Sequence, residues 1–150
     1  MKILVLGING MLGHQVYRVF DSSEYEMAGV MRKPFSDVQR FGVFNKEKVF
    51  DNIDVSNYEE FEKLVKKFKP DAVINCISVL KPLSTDPINT IYINSLFPHK
   101  LAKTCTDIEA RLLHISTDGV FSGLKGNHTE EDGPDTKDFY GLTKLLGEVG

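Results

Sequence analysis

The sequence predicts an α/β fold: a doubly wound parallel sheet in the strand order 3-2-1-4-5, with helices on both faces. Three observations predict it. Apolar runs alternate with helical patterns along all 150 residues. The first run, Ile3-Leu4-Val5-Leu6, is continuously apolar, as expected of a parallel strand buried on both sides. A glycine turn, Gly7-Ile8-Asn9-Gly10-Met11-Leu12-Gly13, then leads straight into a helical pattern. Right-handed crossovers favour the stated order.

The glycine turn has a physical logic. Gly7 allows the tight turn, Gly10 lets backbone approach a pyrophosphate, and Gly13 lets helix and strand pack closely. The helix N-terminus offers unpaired N–H groups and the positive end of its dipole to phosphates. Strand, glycine turn and helix together open a dinucleotide-binding βαβ unit of Rossmann type. Glycines alone also mark ordinary turns, so the flanking elements carry the reading.

A chain of this length reads as one domain and buries roughly two thirds of its unfolded surface. Its 41% apolar and 26% charged residues are those of an ordinary soluble globular protein. A net charge of -3 gives no reason to expect nucleic acid or an anionic membrane as partner. No apolar run is long enough to span a bilayer, and no signal-peptide pattern opens the chain. Cys76 and Cys105 read as reduced core thiols of a cytoplasmic protein.

Helix one is expected over residues 11–20, with Leu12, Val16, Val19 and Phe20 on its apolar face. Strand two, 25–31, ends in Arg32-Lys33, where NAD-binding domains often carry an acid for the ribose hydroxyl. Two cations suit a 2′-phosphate better, so NADP(H) is favoured over NAD(H). Residues 34–48 have no clean period, yet Phe35, Phe41, Val43 and Phe44 indicate a packed excursion. Strand three, 49–53, ends in Asp54-Val55, and the pair Ser56-Asn57 is expected to cap a helix reaching Phe68. Glu59, Glu60, Glu62, Lys63, Lys66 and Lys67 read as its solvated face. Pro70-Asp71 stops it before strand four, 72–77. A loop from Ser78 to Pro87, with Pro82 within it, precedes a long helix, 88–106, which Pro98 is expected to kink or divide. Strand five, 111–115, runs into Ser116-Thr117-Asp118 and a polar loop. A last helix begins near Phe139-Tyr140 and is expected to continue to Gly150.

In such sheets ligands bind beyond the carboxyl ends of the strands, near the switch between strands one and four. Gly7, Arg32, Asp54, Asn75-Cys76-Ile77-Ser78 and Ser116-Thr117-Asp118 all fall at those ends and are expected to line one crevice. Tyr140 and Lys144 stand four apart on one face of the last helix. A lone phenol, with a pKa near 10, is a poor proton shuttle at neutral pH. An ammonium one helical turn away favours the phenolate and brings such a group toward useful general-acid range. His14, His99, His114 and His128 lack a spacing suited to a metal, and Glu130-Glu131-Asp132 reads as a solvated turn.

With the glycine turn, Lys69-Pro70-Asp71-Ala72-Val73-Ile74-Asn75, Ile93-Asn94, His114-Ile115-Ser116-Thr117-Asp118 and Tyr140-Gly141-Leu142-Thr143-Lys144 followed by Gly147-Glu148, the chain resembles the extended short-chain dehydrogenase/reductases. Within them it is most similar to the dTDP-4-dehydrorhamnose reductase branch and related nucleotide-sugar reductases of polysaccharide biosynthesis. Two positions depart from that pattern: Leu6, where Thr often precedes the first glycine, and Gly119, where that branch usually has Tyr. The resemblance implies roles. Thr117 would hydrogen-bond the substrate carbonyl, Tyr140 would protonate its oxygen as hydride arrives, and Lys144 would hold the nicotinamide ribose. Gly7, Asn9, Gly10, Met11, Leu12, Gly13, Arg32, Lys33, Asp54, Val55, Cys76, Ile77, Ser78, Asn94, Tyr140 and Lys144 would bind the cofactor, with Asp54 and Val55 at adenine and Asn75 to Ser78 along the adenosine side.

Two functional readings follow: an NADP-dependent reductase of a nucleotide-linked 4-keto-6-deoxy sugar, and a non-catalytic NADP-binding subunit like the beta subunit of methionine adenosyltransferase. The resemblance also implies a C-terminal substrate lobe beyond the last helix, so the chain is expected to be inactive alone. Leu142, Leu145, Leu146 and Val149 would then form an open apolar stripe inviting self-association.

Overall fold

The computed structural model describes residues 1–81 and 85–148. Pro82 of the expected loop, and Val149 and Gly150 of the expected last helix, lie outside the described residues.

The sheet has the order β3-β2-β1-β4-β5, as the alternation of elements predicted. β1 (Lys2–Leu6) sits at its centre, parallel to β2 (Glu26–Val30) on one side and β4 (Ala72–Asn75) on the other. The register sets Ile3 against Met27 and Ala72, and Leu6 against Val30 and Asn75. β3 (Val49–Phe50) and β5 (Arg111–His114) close the two edges. Ile3, Leu4, Val5 and Leu6 are all within 1% of complete burial, which is why this strand carries no polar alternation.

The chain divides into two compact units, Met1–Ile77 with Leu101–Ile115, and Ser78–Lys100 with Ser116–Gly150. The first holds the whole sheet with α1 (Gly13–Asp21) and α2 (Tyr58–Phe68). α1 begins two residues later than expected, and Tyr17, not Val19, is its buried anchor: Tyr17 is fully enclosed while Val19 is 65% exposed. The cause is non-local. Tyr17 packs with Ile3, Val5, Ile8 and Met27, meets Phe44 edge-on at 5.0 Å, and its hydroxyl accepts the Asn45 N–H at 3.2 Å. The segment over 34–48 packs through Phe35, Val38 and Phe44 as an excursion of short 3-10 turns at Phe35–Asp37, Gln39–Phe41 and Lys46–Lys48, but Phe41, expected to pack, is 60% exposed.

α2 buries Phe61 and Val65 completely, worth about 2 kcal/mol each in transfer free energy. Asn57 is its N-cap by position, but its side chain makes no cap bond and reaches Glu60 instead at 2.8 Å. The helix ends on Lys69 in the left-handed region, whose N–H returns to Val65 O, and Pro70 follows. β3 is shorter than expected because Asn52, at φ 59°, turns the chain out of the strand. No helix among the described residues is long and apolar enough to cross a membrane.

The expected long helix is three pieces: α3 (Pro87–Ile91), a π-helical turn (Tyr92–Leu96) and α4 (Phe97–Asp107). Pro98 explains the division. It has no N–H to give the Asn94 carbonyl, and bonding from i to i+5 steps over the missing donor. The last helix, α5 (Phe139–Leu145), is shorter than expected. It does not run on through the end of the chain; Leu146–Glu148 turn away, with the Gly147 N–H bonded to Lys144 O and the Glu148 N–H to Leu145 O.

Candidate functional site

The first unit carries the glycine turn and the carboxyl ends of β1 to β4. Gly7 adopts φ +77°, and its N–H, with that of Ile8, donates to Val30 O at 2.9 and 3.2 Å. A Cβ on Gly7 would stand 3.0 Å from Ile77 Cγ1, and one on Gly13 would run into the Gly7 carbonyl. The glycines thus bring β1, the start of α1 and the residues after β4 into contact. Ile8 is fully buried, while Asn9, Gly10, Met11 and Leu12 face solvent. His14 bonds back to Gly10 O at 3.0 Å, holding the turn from the helix side.

Arg32 and Lys33 are both exposed just past β2. Asp54 accepts the Ser56 N–H at 2.9 Å, so its carboxylate shapes the turn after β3, and Val55 beside it is buried. At the end of β4, Asn75 is completely buried; its side chain pairs with His114 Nδ1 at 3.0 Å and accepts the Ile77 N–H at 3.1 Å. This amide, which the sequence placed at the carboxyl end of strand four, sets the backbone of Cys76 and Ile77. Burial pushes the Cys76 thiol up to about 11.

The second unit holds Ser78, Asn94, Thr117, Tyr140 and Lys144. Asp138 caps α5 by accepting the Gly141 N–H at 2.9 Å, which holds its carboxyl below the usual carboxylate range. Tyr140 and Lys144 follow one turn apart on that helix, Tyr140 half-buried and Lys144 1% exposed. Burial pushes the Lys144 ammonium down to about 8, against the opposing pull of Glu148. Thr117 opens the 3-10 turn Asp118–Val120 by accepting the Gly119 N–H at 3.1 Å. Gly119 stands between the two groups of interest: a Cβ there would lie 3.3 Å from Thr117 Oγ1 and 3.8 Å from Tyr140 Cε1.

Asn94, fully buried in the π-helical turn, spends its side chain inside the protein. Its Oδ1 accepts from Val79 N at 2.8 Å and Ser78 Oγ at 3.2 Å, while its Nδ2 donates to Val79 O at 3.0 Å and Thr143 Oγ1 at 3.2 Å. Ser95 Oγ donates to Thr143 O at 2.8 Å. The π-helical turn therefore grips α5 at Thr143, the residue before Lys144. Ser95 was not marked by the sequence, although Pro98 signalled irregularity nearby, and Thr143 stood there only as a member of the Tyr140–Lys144 segment with no role of its own.

The family described as the RmlD substrate binding domain matches residues 1–150. The chain belongs to this family. Among curated relatives it is 30% identical over 149 residues to methionine adenosyltransferase 2 subunit beta of Rattus norvegicus, covering 98% of this chain and 41% of that one. It is also 30% identical to the "Probable low-salt glycan biosynthesis reductase Agl14" of Haloferax volcanii, covering 99% and 48%. Among solved structures it is similar to a hypothetical dTDP-4-dehydrorhamnose reductase from Sulfolobus tokodaii, with a TM-score of 0.81, 27% identity, and coverage of 98% of this chain and 50% of that one. The chain spans half the length of these relatives or less.

Proposed function

We propose that this RmlD-family chain is the cofactor-binding part of an NADP-dependent reductase acting on a nucleotide-linked 4-keto-6-deoxy sugar. The observation that carries the reading is α5 with its surroundings: Tyr140 and buried Lys144 one turn apart, and Thr117 and the Tyr140 ring flanking Gly119. The first unit fits a dinucleotide, since Gly7 and Gly13 let β1 and the start of α1 approach where a Cβ would clash, and Arg32 and Lys33 stand exposed where a 2′-phosphate would need cations. A bound nicotinamide would supply hydride. Tyr140 is then the acid that protonates the carbonyl oxygen, Thr117 donates a hydrogen bond to that oxygen, and Lys144 contributes positive charge beside the phenol. At pH 7 Lys144 is still largely an ammonium, because its value of about 8 lies above that pH.

The test is NADPH oxidation by a polypeptide that carries this chain together with a substrate lobe, with dTDP-4-dehydrorhamnose as substrate. Tyr140→Phe is expected to lower kcat about 100-fold or more while leaving cofactor affinity near wild type. Turnover equal to wild type in that variant overturns the assignment.

The likeness to methionine adenosyltransferase 2 subunit beta supports a second reading, a non-catalytic NADP-binding subunit. Tight NADPH binding without turnover of any 4-keto nucleotide sugar, together with retention of a partner enzyme, would favour it.

A further inference from the structure

The polar segment over 121–135 is tied at its base and holds one anomaly inside it. At the base, the Ser122 N–H and Oγ both donate to the Asp135 carboxylate at 2.6 Å, and the Thr136 N–H donates to Val120 O at 3.1 Å. Further in, the Asp132 carboxylate accepts the Thr129 N–H at 2.9 Å and a hydrogen bond from the Lys125 ammonium. The anomaly is His128. Its ring stacks on Phe121, with centroids 4.6 Å apart and planes 14° from parallel. Both ring nitrogens are closed to solvent, and among the described residues neither has a hydrogen-bond partner. Enclosed polar groups are ordinarily satisfied, so an imidazole held in this way calls for an explanation. Asp132 Oδ2 stands 3.8 Å from its Nδ1, close enough to pair with a charge and too far for a hydrogen bond.

We propose that His128 is a proton-operated latch for this segment: on taking up a proton it pairs with Asp132 and tightens the segment, and on losing that proton it lets the segment loosen. A neutral imidazole offers one N–H and one lone pair, and here neither is used. Protonation makes both nitrogens donors and sets a positive charge before a carboxylate. A shift of about 1 Å brings Nδ1 and Oδ2 to the spacing of a charge-assisted hydrogen bond. Desolvation opposes the charge; the facing carboxylate and the unmet nitrogens of the neutral ring favour it.

The surrounding charges fit this assignment. Lys125, and then the Thr129 N–H, hold the Asp132 carboxyl below the usual carboxylate range, so it stays ionised wherever histidine titrates. Asp135 acts in the same direction as Asp132 but is committed to Ser122. Glu130, Glu131 and Lys137 are exposed. Beyond the segment, Asp118 accepts from Thr117 Oγ1, and Asp138 is committed to Gly141 and Lys81. The pair's contribution is therefore present at pH values below the histidine range and lost above it. Thr136 carries the effect toward α5, because a Cβ on Gly141 would run into Thr136 Oγ1 and Gly119 O. Any bearing on Thr117 and Tyr140 as catalytic groups rests on the reading given above; the latch does not.

The experiment is backbone hydrogen exchange of the 150-residue chain at about pH 5.5 and about pH 7.5, each corrected for the rate of the unstructured peptide. Imidazole ¹⁵N resonances are followed over the same range, with His128 assigned from His128→Phe, which keeps a ring on Phe121. The Ser122, Thr129 and Thr136 amides are expected to be roughly threefold or more better protected at the lower pH. The difference is expected to vanish in His128→Phe and in Asp132→Asn, which keeps the shape of the side chain without its charge. Amide dispersion reports folding, and if His128→Phe loses it, Asp132→Asn decides. Equal protection at both pH values, a His128 ring that stays neutral throughout, or a pH difference that survives in either folded variant overturns the proposal.

Discussion

Gly147 packs on the backbone carbonyl of Asn94 so closely that a Cβ has no place. One residue closes the turn after α5 and the other sits in the π-helical turn, so the contact sets the far end of α5 as Thr143 sets its middle. Backbone cannot yield as a flexible side chain can. Gly147→Ala is expected to cost about 2 kcal/mol and lower the melting temperature by about 6 °C, read by circular dichroism. An unchanged melting curve would mean that the turn is free to move away.

Arg32→Ala bears on cofactor choice. Arg32 and Lys33 are exposed and carry no acid between them at the end of β2. Fluorescence titration is expected to show NADPH binding tighter than NADH, with the ratio shrinking roughly tenfold in the variant. Equal affinities, unaffected by the substitution, would assign these cations to the solvated surface.

Stability is expected to depend on pH through Lys144. Burial lowers its folded value to about 8 from 10.5. Between those values the unfolded chain binds more protons than the folded one, so stability rises with pH, by about 1 kcal/mol per unit. Cys76 and Cys105, pushed up to about 11, act in the opposite sense once pH exceeds the ordinary thiol value of 9.0, because the unfolded thiols ionise first. The rise is therefore confined to a window from about pH 8 to 9. Urea midpoints at pH 7, 8 and 9 would show it, and Lys144→Met is expected to flatten it.

The same burial makes the two thiols sluggish. Cys105 is 2% exposed and Cys76 half-buried, and each is held well above neutral pH. Iodoacetamide at pH 7.5, followed by mass spectrometry, is expected to label both at least tenfold more slowly in the native chain than in urea. Rapid native labelling of Cys76 would show a reactive thiol at the end of β4.

The sheet order was legible because β1 announces itself as an unbroken apolar run, strands and helices alternate after it, and the glycine turn fixes where β1 stops. What escaped was non-local. Val19 reads as core by spacing, yet Tyr17 takes the interior because Phe44 and the Asn45 N–H, far along the chain, receive it. Asn52 could have foretold the short β3, since asparagine tolerates the left-handed region. Tyr140 and Lys144 were legible as a spaced pair. The burial of Lys144 was not, because a lysine on an amphipathic helix ordinarily reads as surface. Asn94 reads from sequence as a residue near the cofactor, and its amide bonds to Ser78, Val79 and Thr143 could not be read there, because only folding supplies those partners.

The central place of β1 has a consequence for synthesis. This strand leaves the ribosome before β2 and β4, and its second neighbour is made much later: the Lys2 N–H finds the Asp71 carboxylate across 69 residues. At about 5–20 residues per second, Ile3 to Leu6 wait roughly 4–14 seconds for β4, with one edge unpaired and an oily face uncovered. Nascent chains stalled before Asp71 are therefore the ones expected to be bound by holding chaperones, whereas chains stalled with β4 clear of the exit tunnel can close the centre of the sheet.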